Sequence, residues 1–184
     1  MDSFEAVVAT ILEREGYWVR PGFKVELTKA EKRAIGKPSS PRWELDMVAY
    51  KGGTNELLVV ECKSFLDSPG VRAVAFDGSS DKEAERYKLF TQKRLRTVVL
   101  RRLQKQLEAS GASRPRASVQ LCLAAGKVKS RGDLSTIRKV FTKRGWKLFE
   151  PEWLRAKLLE LAKSGYEDEV AAVAAKLILR SQTD

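Results

Sequence analysis

Two stretches of this 184-residue chain carry residues able to do chemistry together. Asp46 lies in "WELDMVAY", and Glu61 and Lys63 lie in "LLVVECKSF", an apolar run that reads as a buried strand. Charges are costly away from water unless they are paired or bound to an ion. Side chains two apart on a strand share a face, so Glu61 and Lys63 point one way and Cys62 the other. Between the stretches "KGGTN" is a hairpin turn signal, and a turn at about Gly52 to Asn55 sets Asp46 opposite positions 61 to 63. Two carboxylates and an ammonium then converge. Adjacent acids raise each other's pKa unless a cation lies between them. Oxygen donors with retained waters are what Mg²⁺ prefers. A lysine beside such an ion positions or deprotonates an attacking water, or stabilises charge on a phosphate.

Other chemistries are excluded by composition. The chain has no histidine, so Ser-His-Asp and Cys-His nucleophiles and histidine metal sites are out. "AAGKVKS" lacks the upstream glycine and the following Ser/Thr of a phosphate loop, and no G-x-G-x-x-G occurs. The two cysteines, Cys62 and Cys122, form no motif. No apolar run approaches a membrane span, and the N-terminus carries no signal-peptide pattern, so a reduced, cytoplasmic protein is expected.

The net charge of +11 is unevenly spread. Residues 82–147 hold 19 Lys/Arg against 4 Asp/Glu, a net of +15, while the segments on either side are each at −2. A positive field concentrated in one region suits a polyanion such as nucleic acid. A solvated basic face is the plainer alternative.

The elements that must position these residues follow from periodicity. Phe4, Val7, Val8, Ile11 and Leu12 predict a helix capped by Asp2 or Ser3 and stopped at Gly16. "YWVRPGFKVEL" predicts a strand or edge hairpin broken at Pro21-Gly22, and residues 28–41 a polar loop. In "WELDMVAY", alternation places Trp43, Leu45, Met47 and Ala49 on one face and Glu44, Asp46, Val48 and Tyr50 on the other. Residues 66–81 are turn-rich, as in a mobile loop facing a substrate. Residues 82–111 predict one long helix with Leu95, Val99, Leu103 and Leu107 as its buried stripe. Lys93, Arg94, Arg96, Arg101 and Lys105 lie largely off that stripe and are candidates to line a phosphate groove. An apolar strand, a basic helix, a short strand and two helices complete the chain. The order implies an α/β sandwich around one mixed sheet.

Asp46 followed by Glu61-Cys62-Lys63 resembles the D…E-x-K signature of the PD-(D/E)xK nucleases, the restriction-endonuclease-like superfamily. The family's usual αβββαβ core matches the predicted order from residue 3 to about 125. The resemblance implies a Mg²⁺-dependent endonuclease acting on DNA, with Mn²⁺ as a substitute. Asp46 and Glu61 would hold the metal, the carbonyl of Cys62 would be a further ligand, and Lys63 would stand near the water. Glu5 borders the stripe of the first helix, where resolvase-like branches carry a metal-side glutamate. Gln92 stands where some branches carry a functional glutamine or lysine. Leu45 replaces the proline that often precedes the aspartate. Residues 1–150 form the nuclease-like domain in this reading. Residues 151–184 form a helical extension that packs on the core, makes a homodimer or docks a partner subunit. The competing readings are a structural ion pair at Glu61 and Lys63, and a non-catalytic DNA-binding or assembly subunit that keeps the fold.

Overall fold

A computed structural model describes residues 2–39, 42–163, 165 and 169–180. Helix α1 (Ser3–Arg14) starts at Asp2, whose side chain accepts from the Glu5 N–H while Glu5 accepts from the Asp2 N–H. This reciprocal capping satisfies two donors that the first turn leaves unpaired. Strand β1 (Trp18–Val25) follows. Next comes a short helix, α2 (Lys29–Ala34), where a loop was expected. Its start is the same reciprocal cap, made by Thr28 and Glu31 in "TKAE".

Strands β2 (Trp43–Lys51) and β3 (Glu56–Lys63) form the expected hairpin, with Met47 opposite Val60 and Lys51 opposite Glu56. Strand β4 (Ser118–Ala125) lies parallel to β3, and β5 (Lys147–Phe149) lies parallel to β4. The result is a mixed five-stranded sheet in the order β1-β2-β3-β4-β5. Leu57, Leu58, Val59 and Val60 are all buried, because β3 is central and covered on both faces.

The segment after β3 corrects the expectation of one long helix. It divides into α3 (Asp81–Ala84), a 3₁₀ turn at Glu85–Tyr87, α4 (Lys88–Thr91) and α5 (Lys93–Ala109). Extending the buried stripe of α5 backwards along a continuous helix would place Gln92 and Lys88 against the core. The break at Gln92, with φ −101° and ψ 95°, turns Leu89 and Phe90 inward instead. Arg96 closes the break by donating to the carbonyls of Leu89 and Phe90.

Helix α6 (Arg131–Arg144) and α5 cover one face of the sheet. Helices α1, α7 (Pro151–Lys163) and α8 (Val170–Arg180) cover the other, where Leu154, Leu161 and Ala172 join the core beneath α1. The α7 and α8 segment thus packs on the core, with α8 lying against α7 and α1.

Face alternation slips once, and the slip falls at Asp46. Met47 and Ala49 face α1, while Val48 and Tyr50 face α5. Trp43 and Leu45 also face α5, against the expectation that they share a side with Met47 and Ala49. On β1 the same change separates Val19, facing α1, from Phe23, facing α5. Gly22 lies between the register pairs Pro21↔Met47 and Phe23↔Leu45, and its φ of 58° supplies the twist.

Candidate active site at the end of the central strand

The β2–β3 ladder stops at Met47↔Val60, so the next backbone groups have no ladder partner across the gap. Asp46 fills it: one oxygen, Oδ2, accepts the Cys62 N–H at 2.8 Å. A side chain takes the place of a backbone carbonyl, and the carboxylate is thereby fixed against the opening between the strands. Lys63 Nζ donates to Glu61 Oε1 at 2.6 Å and stands 3.9 Å from Asp46 Oδ2. The expected convergence of Asp46, Glu61 and Lys63 is present, and the Glu61–Lys63 pair is largely shielded, at 19% and 22% side-chain exposure.

Three chain segments close on this point. Gly126 donates its N–H to the Lys63 carbonyl, and a β-carbon there would lie 2.5 Å from the Ser64 oxygen and 3.1 Å from the Phe4 ring. The ends of β3 and β4 and the first turn of α1 are therefore packed to contact. That packing brings Glu5 into the electrostatic neighbourhood of Asp46. Just beyond Lys63, Phe65 has φ 47°, a conformation disfavoured for a bulky residue and most often retained at functional sites.

The electrostatics are those of crowded acids with one resident cation. Burial raises the Glu61 carboxyl above its ordinary value, Lys63 opposes this, and the charges of Asp46 and Glu5 add to the rise. Burial also raises Glu5, against the pull of the Asp2 N–H, with Asp2 and Asp46 adding to the rise. Burial alone would lower Lys63, but Glu61 and then Asp46 hold it above its usual value. An ammonium held charged in this way can orient a bound group or offset developing negative charge.

The donor chemistry fits a hard divalent cation. Oδ1 of Asp46 and Oε2 of Glu61 take no partner among the described residues, while the other oxygen of each is engaged. Two such oxygens with waters completing the shell suit Mg²⁺. Among the described residues, no three His, Cys, Asp or Glu side chains are grouped to hold an ion. Glu5, expected as a ligand, accepts the Asp2 N–H with Oε2 in the α1 cap and lies within electrostatic reach of Asp46 and Glu61. The Cys62 thiol faces the α1 core, where burial pushes it up, so only its backbone belongs to the site.

The basic candidates divide. Lys93, Arg94, Arg101 and Lys105 are exposed along α5, and among the described residues no hydrogen bond or ion pair joins them to Asp46, Glu61 or Lys63. Arg96 is committed to the helix break and stacks over Trp146 at 5.1 Å from the ring centre. Gln92 donates to Glu85 at that same break.

A group that the sequence reading missed gathers beside Phe65, two residues beyond Lys63. Arg86 stands over the Phe65 ring at 5.5 Å and 3.6 Å from Glu83, which is also 3.8 Å from Arg72. Tyr87 is buried among them, raised first by burial, with Arg86 opposing and Glu83 and Glu61 adding. The only signal in the sequence was position: these residues lie in the turn-rich stretch and the short helical turns that follow β3.

Comparison of the chain with protein-family models, with curated proteins and with solved structures returns no match.

Proposed function

We propose that this protein is a metal-dependent endonuclease that hydrolyses DNA phosphodiester bonds, on a restriction-endonuclease-like αβββαβ core. The observation that carries the reading is the Glu61–Lys63–Asp46 cluster at the parting of β2 and β3, with one oxygen of each carboxylate unengaged among the described residues. The order α1-β1-β2-β3-α5-β4 supports it, as does the basic balance of residues 82–147.

Asp46 and Glu61 would hold Mg²⁺, which supplies a Lewis acid and a water of lowered pKa when bound. The chain's own residues do the rest. The Cys62 N–H holds one oxygen of the Asp46 carboxylate, which leaves its second oxygen for a ligand. Lys63, held charged by Glu61, directs its ammonium at the attacking water or at a non-bridging phosphate oxygen and offsets the charge that grows there. Glu5 lies within electrostatic reach of Asp46 and Glu61 and adds negative potential that favours a bound cation.

The test is cleavage of linear, supercoiled and branched DNA with and without Mg²⁺ by the wild type, Glu61→Gln and Lys63→Met. The wild type should cut only with the metal, and each variant should lose on the order of 10²-fold or more in rate while still binding DNA. A wild type that cuts none of these with Mg²⁺ or Mn²⁺ refutes the proposal. One observation favours the second reading, a non-catalytic DNA-binding subunit: Lys63 already neutralises Glu61 within the protein. Such a subunit would bind DNA unchanged in both variants and never cleave it.

A further inference from the structure

The positive field of residues 82–147 requires a place where it meets the candidate site. The exposed lysines and arginines of α5 make no link to it among the described residues, whereas Arg86 stands over Phe65, two residues beyond Lys63, and shares the Glu83 carboxylate with Arg72. Arg72 and Arg86 lie on either side of the 3₁₀ turn at Ala73–Ala75 and α3, yet both approach the Glu83 carboxylate, one near each of its oxygens. The separations, 3.8 Å and 3.6 Å, are longer than a hydrogen bond. Among the described residues no hydrogen bond engages either guanidinium. Each therefore keeps its planar fork of donors, the geometry that matches a phosphate.

The arrangement is held in place from beneath. Gly70, at φ 100°, lies where a β-carbon would be 2.8 Å from the Lys129 nitrogen, and Val71 pairs with Val128 in a parallel bridge. Arg72 follows that bridge directly. Arg86 is fixed over Phe65, two residues beyond Lys63. Arg72 and Arg86 side chains are 42% and 59% exposed, while Glu83 is only 18% exposed. Two accessible cations thus flank a recessed anion, and one of them lies against Phe65, two residues beyond Lys63.

We infer that Arg72 and Arg86 form a phosphate clamp that grips the DNA backbone beside the Asp46/Glu61/Lys63 centre, with Glu83 as a built-in anion that the backbone phosphate displaces. The inference rests on the nuclease reading for its ligand, but binding tests it without cleavage. Glu83 holds the two guanidinium groups together in the absence of DNA and competes weakly, because its contacts are long and solvent reaches both arginines.

Binding of a fluorescent DNA duplex is measured by anisotropy in EDTA across a salt series, with chemical unfolding as a check on each variant. The Arg72→Gln/Arg86→Gln double variant should bind about 10-fold or more weakly. Its salt slope should fall by about 2, since each phosphate contact contributes close to one unit. Arg72→Lys/Arg86→Lys should keep the slope while losing part of the affinity, and Glu83→Gln should bind more tightly than wild type. An unchanged slope in the glutamine pair overturns the clamp. So does weaker or equal binding by Glu83→Gln, which would make the three residues a structural network. Should the glutamine pair fail to fold, Glu83→Gln and the lysine pair decide. A wild type that does not bind DNA overturns the clamp directly. If the clamp variants behave as expected but the wild type never cleaves, the clamp stands and the nuclease reading falls.

Discussion

Replacing Lys63 with methionine removes the cation that lies 2.6 Å from Glu61 and 3.9 Å from Asp46 while preserving an apolar stem of similar length. Removing one partner of a fully buried ion pair destabilises by about 3–5 kcal/mol, because an uncompensated charge is left behind. Here the side chains are 22% and 19% exposed, so water screens part of that penalty and the expected loss at pH 7 is about 1–3 kcal/mol. The sign of the pH dependence follows from Glu61. Its folded carboxyl lies above its ordinary value of 4.5, so its contribution to stability is present at low pH and is lost as pH rises through the folded value. The main influences that lower this carboxyl come from Lys63, and without them burial, Asp46 and Glu5 push it further up. The variant should therefore be destabilised least near pH 4, where Glu61 is protonated, and increasingly up to pH 7. Urea unfolding of wild type and Lys63→Met at several pH values between 4 and 7, with equal m-values, measures this difference. A difference that is flat with pH, or larger in acid, refutes the assignment of the stability to the Glu61–Lys63 pair.

Two further outcomes follow from the packing around the pair. Asp46→Asn keeps an acceptor for the Cys62 N–H and Asp46→Ala does not, so the alanine variant should be less stable than the asparagine variant by about 1–3 kcal/mol. The Cys62 amide should exchange quickly in the alanine variant alone; protection in both would mean that the carboxylate is not its partner. Gly126→Ala forces a β-carbon toward the Ser64 oxygen and the Phe4 ring, and should lower stability by about 1–3 kcal/mol and displace the end of β3. A thermal transition equal to that of wild type would show that these segments are not packed to contact.

The hairpin and its charges were legible because one strand broke its own apolar rule at Glu61 and Lys63. The register followed from the turn, since side-chain period and loop length fix which positions face each other. The slip at Asp46 was not legible. It depends on Gly22 in a neighbouring strand, and no pattern within "WELDMVAY" records a conformational change made elsewhere. The break at Gln92 did leave a trace, since a stripe through Leu95, Val99 and Leu103 runs back into Gln92 and Lys88, but helix propensity hid it. Helix α2 was also written in "TKAE", a capping signal overlooked because the segment is polar and lacks a buried residue. Arg72 and Arg86 could not have been paired from sequence, because Arg72 lies within a turn-rich segment with no periodicity that sets it against the helical turn carrying Arg86.

The outermost strand of the sheet has one more consequence, for how this protein behaves at high concentration. An exposed strand edge offers unpaired N–H and C=O groups to any neighbouring chain and can template aggregation. Strand β1 occupies that position, and Pro21 has no N–H to offer. Gly22, at φ 58°, bends the line of backbone groups at the next residue. Arg20 and Lys24 stand exposed on either side, so a second copy approaching this edge meets like charge as well as a broken ladder. The opposite edge, β5, is only three residues long. The glycine that turns Asp46 toward the gap thus also helps keep the sheet from growing beyond its own five strands.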